Sequence, residues 1–248
     1  MLIFACLIGI LGSCLASFIQ CISYRIENNI PLLRRRSFCE NCQHSLNIID
    51  LCPILNFIWN RARCRYCNKP LKRKYFLMEC FSFILFFFIA LRTSLDILPI
   101  FLILNTLLLN LFYEDFSFYS VRDLDQILFL LSILVLNFSL PIPSLLSKAI
   151  TVLIFGSIFT LCYILKPSSL GFGDVIFIFI FSFSSNMFFF TRVFCISMML
   201  AIIYIIIKGL LLKKAFHTIK IPLISFLALG FWISYIIWPW LFSPYAAI

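Results

Sequence analysis

Apolar and polar positions alternate along this chain on the scale of whole helices. Residues 1–24 run apolar from Met1 to Tyr24, with no Lys or Arg before Arg25. A polar stretch, 25–74, follows, and beyond it apolar runs near 75–91, 97–113, 126–140, 147–165, 174–186, 192–212 and 222–240 are separated by short polar breaks. Hydrocarbon offers no partner to an unpaired backbone group, so each run predicts a helix. The expected fold is an all-α polytopic membrane protein of about eight transmembrane helices. Its expected parts are a first transmembrane helix over 1–24, a loop domain over 25–74 and a transmembrane core over 75–248.

Composition sharpens this. Hydrophobic residues make up 63% of the chain, charged ones 12%, Phe occurs 31 times and mean hydropathy is +1.07. A water-soluble fold of 248 residues cannot hide that much apolar surface, and a disordered or collagen-like chain would not carry it. The formal charge of +10 does not point to nucleic acid. In so apolar a chain, Lys and Arg set membrane orientation and meet anionic lipid headgroups. The polar stretch holds eleven Lys and Arg against Glu27, Glu40 and Asp50, and so most of the net charge. The basic charge follows the first apolar segment, whereas a signal peptide has it in front; this predicts a retained helix with its N-terminus outside. Threading eight spans from there puts 17 of the 20 Lys and Arg on the cytoplasmic side and leaves Arg92, Lys148 and Arg192 outside.

The polar stretch contains two C-x-x-C pairs, Cys39-Glu-Asn-Cys42 and Cys64-Arg-Tyr-Cys67, with 21 residues between them. Each short gap lets one tight turn present two sulfurs to one ion, and the spacing matches a four-thiolate zinc ribbon. Nearby Arg and Lys favour the thiolates. A metal would cross-link a domain too small for a large core. The predicted insertion is therefore a small zinc-ribbon-like cytoplasmic domain with structural zinc on Cys39, Cys42, Cys64 and Cys67; four thiolates leave no open position for catalysis. His44 lies outside the symmetric pairs and reads as a surface residue. The other seven Cys sit mostly in apolar runs and read as small buried hydrophobes.

Seven acids lie outside the polar stretch, and ionisable groups at membrane depth are costly. Asp96 falls in an external hairpin and reads as solvated. Glu79, at the start of the second span, is placed to pair with a basic residue of the island. Glu114, Asp115, Asp123, Asp125 and Asp174 all fall at the inner face. Asp174 follows Gly171-Phe172-Gly173 and opens an apolar helix, where a carboxylate caps the helix or faces a second carboxylate on the same surface. Two carboxyls sharing a site divide one proton between them, and one then activates water, which is aspartyl-protease chemistry. The chemistry alone leaves four partners open in 114–125. Asp123 and Asp125 read as caps of the following helix, Glu114 as a neighbour tuning Asp115 or facing solvent, and Asn105 and Asn110 as bonds to adjacent helices. Arg34-Arg35-Arg36 reads as a headgroup contact and His217 as solvated.

In their order these motifs resemble the prepilin peptidases, the type IV leader peptidases, which are membrane aspartyl proteases with a G-x-G-D signature. Gly12-Ser13 and Arg25 resemble the family's first helix and its basic exit, and the C-x-x-C pairs its zinc loop. Asp50-Leu-Cys-Pro53 resembles its D-x-x-P element, and Tyr75 and Glu79 the next helix. Asp115 with Asp123, and Gly171-Phe-Gly-Asp174, resemble its two catalytic segments. Lys220-Ile221-Pro222, Phe226 and Gly230 resemble its last helix, usually I-P-F-G-P-F. Departures are Phe38 before the first knuckle, Arg122 where the family usually has Pro, Ile176 where Lys is common, and Leu223-Ile224-Ser225 in the last motif.

The resemblance selects Asp115 as the partner of Asp174. It implies a bacterial inner-membrane enzyme with its zinc loop and active site at the cytoplasmic face. Such an enzyme cleaves prepilin or pseudopilin precursors whose short basic leader precedes an apolar helix. It also implies possible N-methylation of the new terminus with S-adenosylmethionine, for which the residues give no independent support. The alternative from another class is a non-enzymatic zinc-stabilised assembly factor or a transporter. A transporter would set ionisable groups nearer the bilayer midplane and often shows repeated halves, and neither feature is evident.

Overall fold

A computed structural model describes residues 1–32, 36–139, 145–166, 170–212 and 220–237. The described residues are helical, with no strand beyond two isolated bridges. Every expected apolar run forms a helix: α1 (Leu2–Glu27), α3 (Arg73–Arg92), α4 (Leu98–Phe118), α5 (Asp123–Ser139), α6 (Leu145–Leu165), α7 (Phe172–Ser182), α8 (Met187–Leu212) and α9 (Leu223–Ile237). A short α2 (Leu55–Trp59) lies in the polar stretch. Arg34, Arg35 and His217 lie outside the described residues.

Five helices, α1, α3, α4, α6 and α8, are long and apolar enough to cross a membrane. The shorter apolar helices α7 and α9 have 11 and 15 residues. At a rise of about 1.5 Å per residue α7 extends only about 16 Å, roughly half a hydrocarbon core. Helix α4 continues past the expected end at 113 to Phe118, so Glu114 and Asp115 lie in its last turns rather than in a loop. The extension is stable because both carboxylates find partners there, described below.

The chain divides into two compact units, Met1–Arg92 and Thr93–Ile248. In the first, α1 packs against α3. The face of α1 is made of small residues: Ala5, Gly9, Gly12 and Ala16 are buried, and a Cβ on Gly12 would lie 2.6 Å from the Phe86 ring and 2.8 Å from the Ser82 carbonyl oxygen. Lipid is as apolar as leucine, so close backbone approach and van der Waals contact hold such helices together more than the hydrophobic effect does.

In the second unit, α9 packs against α4, α7 and α8, α5 against α4 and α7, and α6 against α7 and α8. Aromatic rings fill the space between them. Phe129 of α5 stacks on Phe177 of α7 at 5.7 Å between centroids, and Phe181 meets Phe190 and Phe231 at 5.8 and 5.7 Å. A Cβ on Gly230 would come within 2.6 Å of the Val193 carbonyl oxygen, so this glycine sets the approach of α9 to α8. The indole N–H of Trp232 donates to Asn105 Oδ1 at 2.9 Å, satisfying a polar pair between α9 and α4.

Candidate functional site

The cysteine island folds as two copies of one turn. In the first, the Cys39 N–H donates to the His44 carbonyl, the Gln43 N–H to the Cys39 carbonyl and the Leu46 N–H to the Ser37 carbonyl, at 3.0, 2.9 and 2.8 Å. In the second, Cys64 N–H donates to Lys69, Asn68 N–H to Cys64 and Leu71 N–H to Ala62, at 2.9, 2.9 and 2.8 Å. Bridges pair Phe38 with Ser45 and Arg63 with Pro70. Gln43 and Asn68 both take left-handed φ, 58° and 57°. The whole pattern repeats at the offset from Cys39 to Cys64.

The two turns bring together Cys39, Cys42, Cys64 and Cys67, whose sulfurs all lie within 4.8 Å of one another. Tetrahedral zinc with bonds of about 2.3 Å needs sulfurs about 3.8 Å apart, so the cluster fits such an ion with a small contraction. Burial raises the Cys64 thiol, but N–H groups of Cys67 and Tyr66 and the neighbouring Cys39 and Cys67 thiols outweigh it and hold it down at about 7. This electrostatic setting favours the thiolate a metal needs. His44 stays outside the ligand set and packs against Tyr66, with ring centroids 3.8 Å apart and the planes tilted by 33°.

The acids of this unit brace the island. Asp50 is buried and its Oδ2 accepts the Asn47 N–H at 3.1 Å and the Tyr66 hydroxyl at 2.9 Å. Glu40 takes the Tyr75 hydroxyl and pairs with Lys72 at 2.5 Å. Among the described residues Glu79 has no ion-pair partner. Its Oε2 accepts the Ile54 N–H at 2.8 Å, and the Ser17 hydroxyl bonds it from α1. Ile54 carries φ 62° and ψ −54°, a costly conformation for a β-branched residue. Glu79 therefore steadies a strained corner just after Asp50-Leu-Cys-Pro53.

In the second unit the acids of 114–125 separate into distinct environments. Glu114 is buried and forms an ion pair with Arg122, whose Nε lies 2.7 Å from Asp125 Oδ2. Arg122, standing at one of the departures from the family pattern, thus bridges two acids. Asp123 is exposed in the first turn of α5. Asp115 is buried and bonds across to α9: its Oδ2 accepts the Ser225 N–H at 2.7 Å and the Ser225 hydroxyl at 2.9 Å.

Asp174 lies in the first turn of α7, and its Oδ2 accepts the Gly171 N–H at 3.3 Å. The carboxylate therefore does cap its helix. Gln126 Nε2 of α5 donates to the Gly173 carbonyl at 3.3 Å, and a Cβ on Gly173 would touch that nitrogen at 3.4 Å. Asp115 thus ties the end of α4 to the start of α9, and Asp174 opens α7 where the start of α5 bonds its glycine turn.

Three residues of this arrangement, Arg122, Gln126 and Ser225, have no assigned role in the motifs. Each is a polar side chain next to or within the first turn of an apolar helix, and that placement is the signal that marks them.

A profile of the bacterial peptidase A24 N-terminal domain matches residues 10–93. A prepilin leader peptidase/N-methyltransferase of Myxococcus xanthus is 35% identical over 85 residues, covering 34% of this chain and 25% of the relative. Proteins of the same description from Vibrio cholerae and Bacillus subtilis are 29% and 28% identical over 125 and 123 residues, each covering 49% of the relative. The chain thus spans about half, or less, of the length of the curated relatives it matches. No solved structure shows significant similarity. The residues that the profile matches include all four cysteines of the cluster, and over its matched segments the chain is similar to prepilin leader peptidases.

Proposed function

We propose that the chain is a membrane-embedded aspartyl endopeptidase that removes the leader from prepilin-like precursors at the cytoplasmic face of the bacterial inner membrane. The observation that supports this reading is that Asp115, buried in the last turns of α4, and Asp174, in the first turn of α7, each sit at a helix end where another helix begins: Asp115 bonds to the start of α9, and the turn holding Asp174 is bonded from the start of α5. One carboxylate takes a proton from water as it attacks the scissile carbonyl carbon. The other, protonated, gives its proton to the carbonyl oxygen and takes it back as the carbonyl re-forms, while the first delivers the proton it took from water to the leaving amine. Glu114 and Asp125 are both engaged by Arg122, which supports the choice of Asp115 over its neighbours.

The substrate class follows from the names of the relatives and from the surroundings: an apolar helix stays in lipid while its basic leader stays in water. The distribution of Lys and Arg supports a cytoplasmic site. Cys39, Cys42, Cys64 and Cys67 would hold a zinc ion, which supplies a cross-link to the island. A methyl donor such as S-adenosylmethionine enters only through the relatives' names, and no residue is assigned to it. Co-expression with a prepilin, followed by mass spectrometry of its N-terminus, tests the reading: the leader mass is lost when the chain is present and retained when it is absent. A gain of about one methyl mass reports the second activity.

A further inference from the structure

The Ser225 hydroxyl lies between two acceptors, Asp115 Oδ2 at 2.9 Å and the Phe112 carbonyl oxygen at 3.1 Å. A hydroxyl has one proton and two lone pairs. Toward an ionised Asp115 it donates to Oδ2. Toward a protonated Asp115 it accepts the carboxyl proton and turns its own to Phe112, with no heavy atom moving. The Ser225 N–H, 2.7 Å from the same oxygen, lies in the first turn of α9, where no intrahelical partner exists for it. Both Ser225 and Asp115 are buried, so water does not readily replace either contact.

We infer that Ser225 is a positioning residue for proteolysis, a hydroxyl relay that holds Asp115 Oδ2 in both of its protonation states. The inference rests on the proposed Asp115–Asp174 chemistry, in which the proton of the pair changes place during each turnover. Without the relay, Asp115 can hold its geometry in one state only.

The test is steady-state cleavage of a prepilin by the purified full chain in detergent, comparing wild type with Ser225→Ala, Ser225→Thr and Asp115→Asn. Ser225→Ala keeps the backbone donor and loses the relay. Its kcat should fall about tenfold to a hundredfold, the usual range for losing a hydrogen bond to a charged group, with KM within about twofold of wild type. Ser225→Thr restores the hydroxyl and should recover most of kcat. Wild-type kcat in Ser225→Ala, or a change confined to KM, overturns the relay while leaving the protease reading intact. A Ser225→Thr protein that elutes as folded wild type on size exclusion yet stays as slow as Ser225→Ala also overturns it. An Asp115→Asn protein that cleaves at the wild-type rate removes the reading on which the relay rests.

Discussion

Gln126 of α5 donates from Nε2 to the carbonyl oxygen of Gly173, 3.3 Å away, and so ties one helix start to the residue before Asp174. The side chain is buried, and the carbonyl lies in the first turn of α7. Replacing Gln126 with Leu keeps the volume but removes the donor and loosens the glycine turn that aims Asp174. Cleavage by Gln126→Leu should fall about tenfold at unchanged expression, measured as the processed fraction of a co-expressed prepilin.

Close approach of α1 to α3 depends on Gly12. Any Cβ there lies well inside contact distance of the Phe86 ring and the Ser82 carbonyl oxygen, and the carbonyl is backbone that cannot swing away. Gly12→Leu should cost about 1–3 kcal/mol or more by overpacking. A thermal unfolding scan in detergent should show a lower midpoint, whereas Leu11→Ala, at an exposed position of the same helix, should move it little.

Metal retention follows the thiols. The Cys64 thiol is held down at about 7, so the stability from its thiolate is complete above the ordinary thiol value near 8.5 and is lost as pH falls through 7. Elemental analysis of the purified chain should find about one zinc ion at pH 8, release of the ion between about pH 7 and 5, and none in Cys39→Ser or Cys64→Ser. Retention of a full equivalent by either variant would contradict a four-cysteine site.

The helices are legible in the sequence because lipid demands continuous apolar runs, and every one of those runs is a helix. Ends are less legible. Helix α4 runs on through Glu114 and Asp115 because Arg122 and Ser225, eight and 110 residues away, satisfy their carboxylates. Pairing of that range leaves no local pattern. The cysteine spacing announces the metal cluster, yet the duplicated turn around it is carried by backbone hydrogen bonds and left-handed Gln43 and Asn68, which share little side-chain identity with their surroundings. Glu79 looked like one half of an ion pair. It instead accepts a backbone N–H beside a strained Ile54, a partner that sequence charge cannot indicate. Ser225 stands out in sequence only as a departure from I-P-F-G-P-F; a proline at that position would have neither of the donors that reach Asp115.

The central claim is that Asp115 and Asp174 act together on one water. The most direct measurement is the N-terminal mass of a prepilin co-expressed with Asp115→Asn or Asp174→Asn, both variants being checked for membrane insertion. The account predicts full-length precursor with either variant and mature product with wild type. Mature product from either variant at the wild-type level would contradict it.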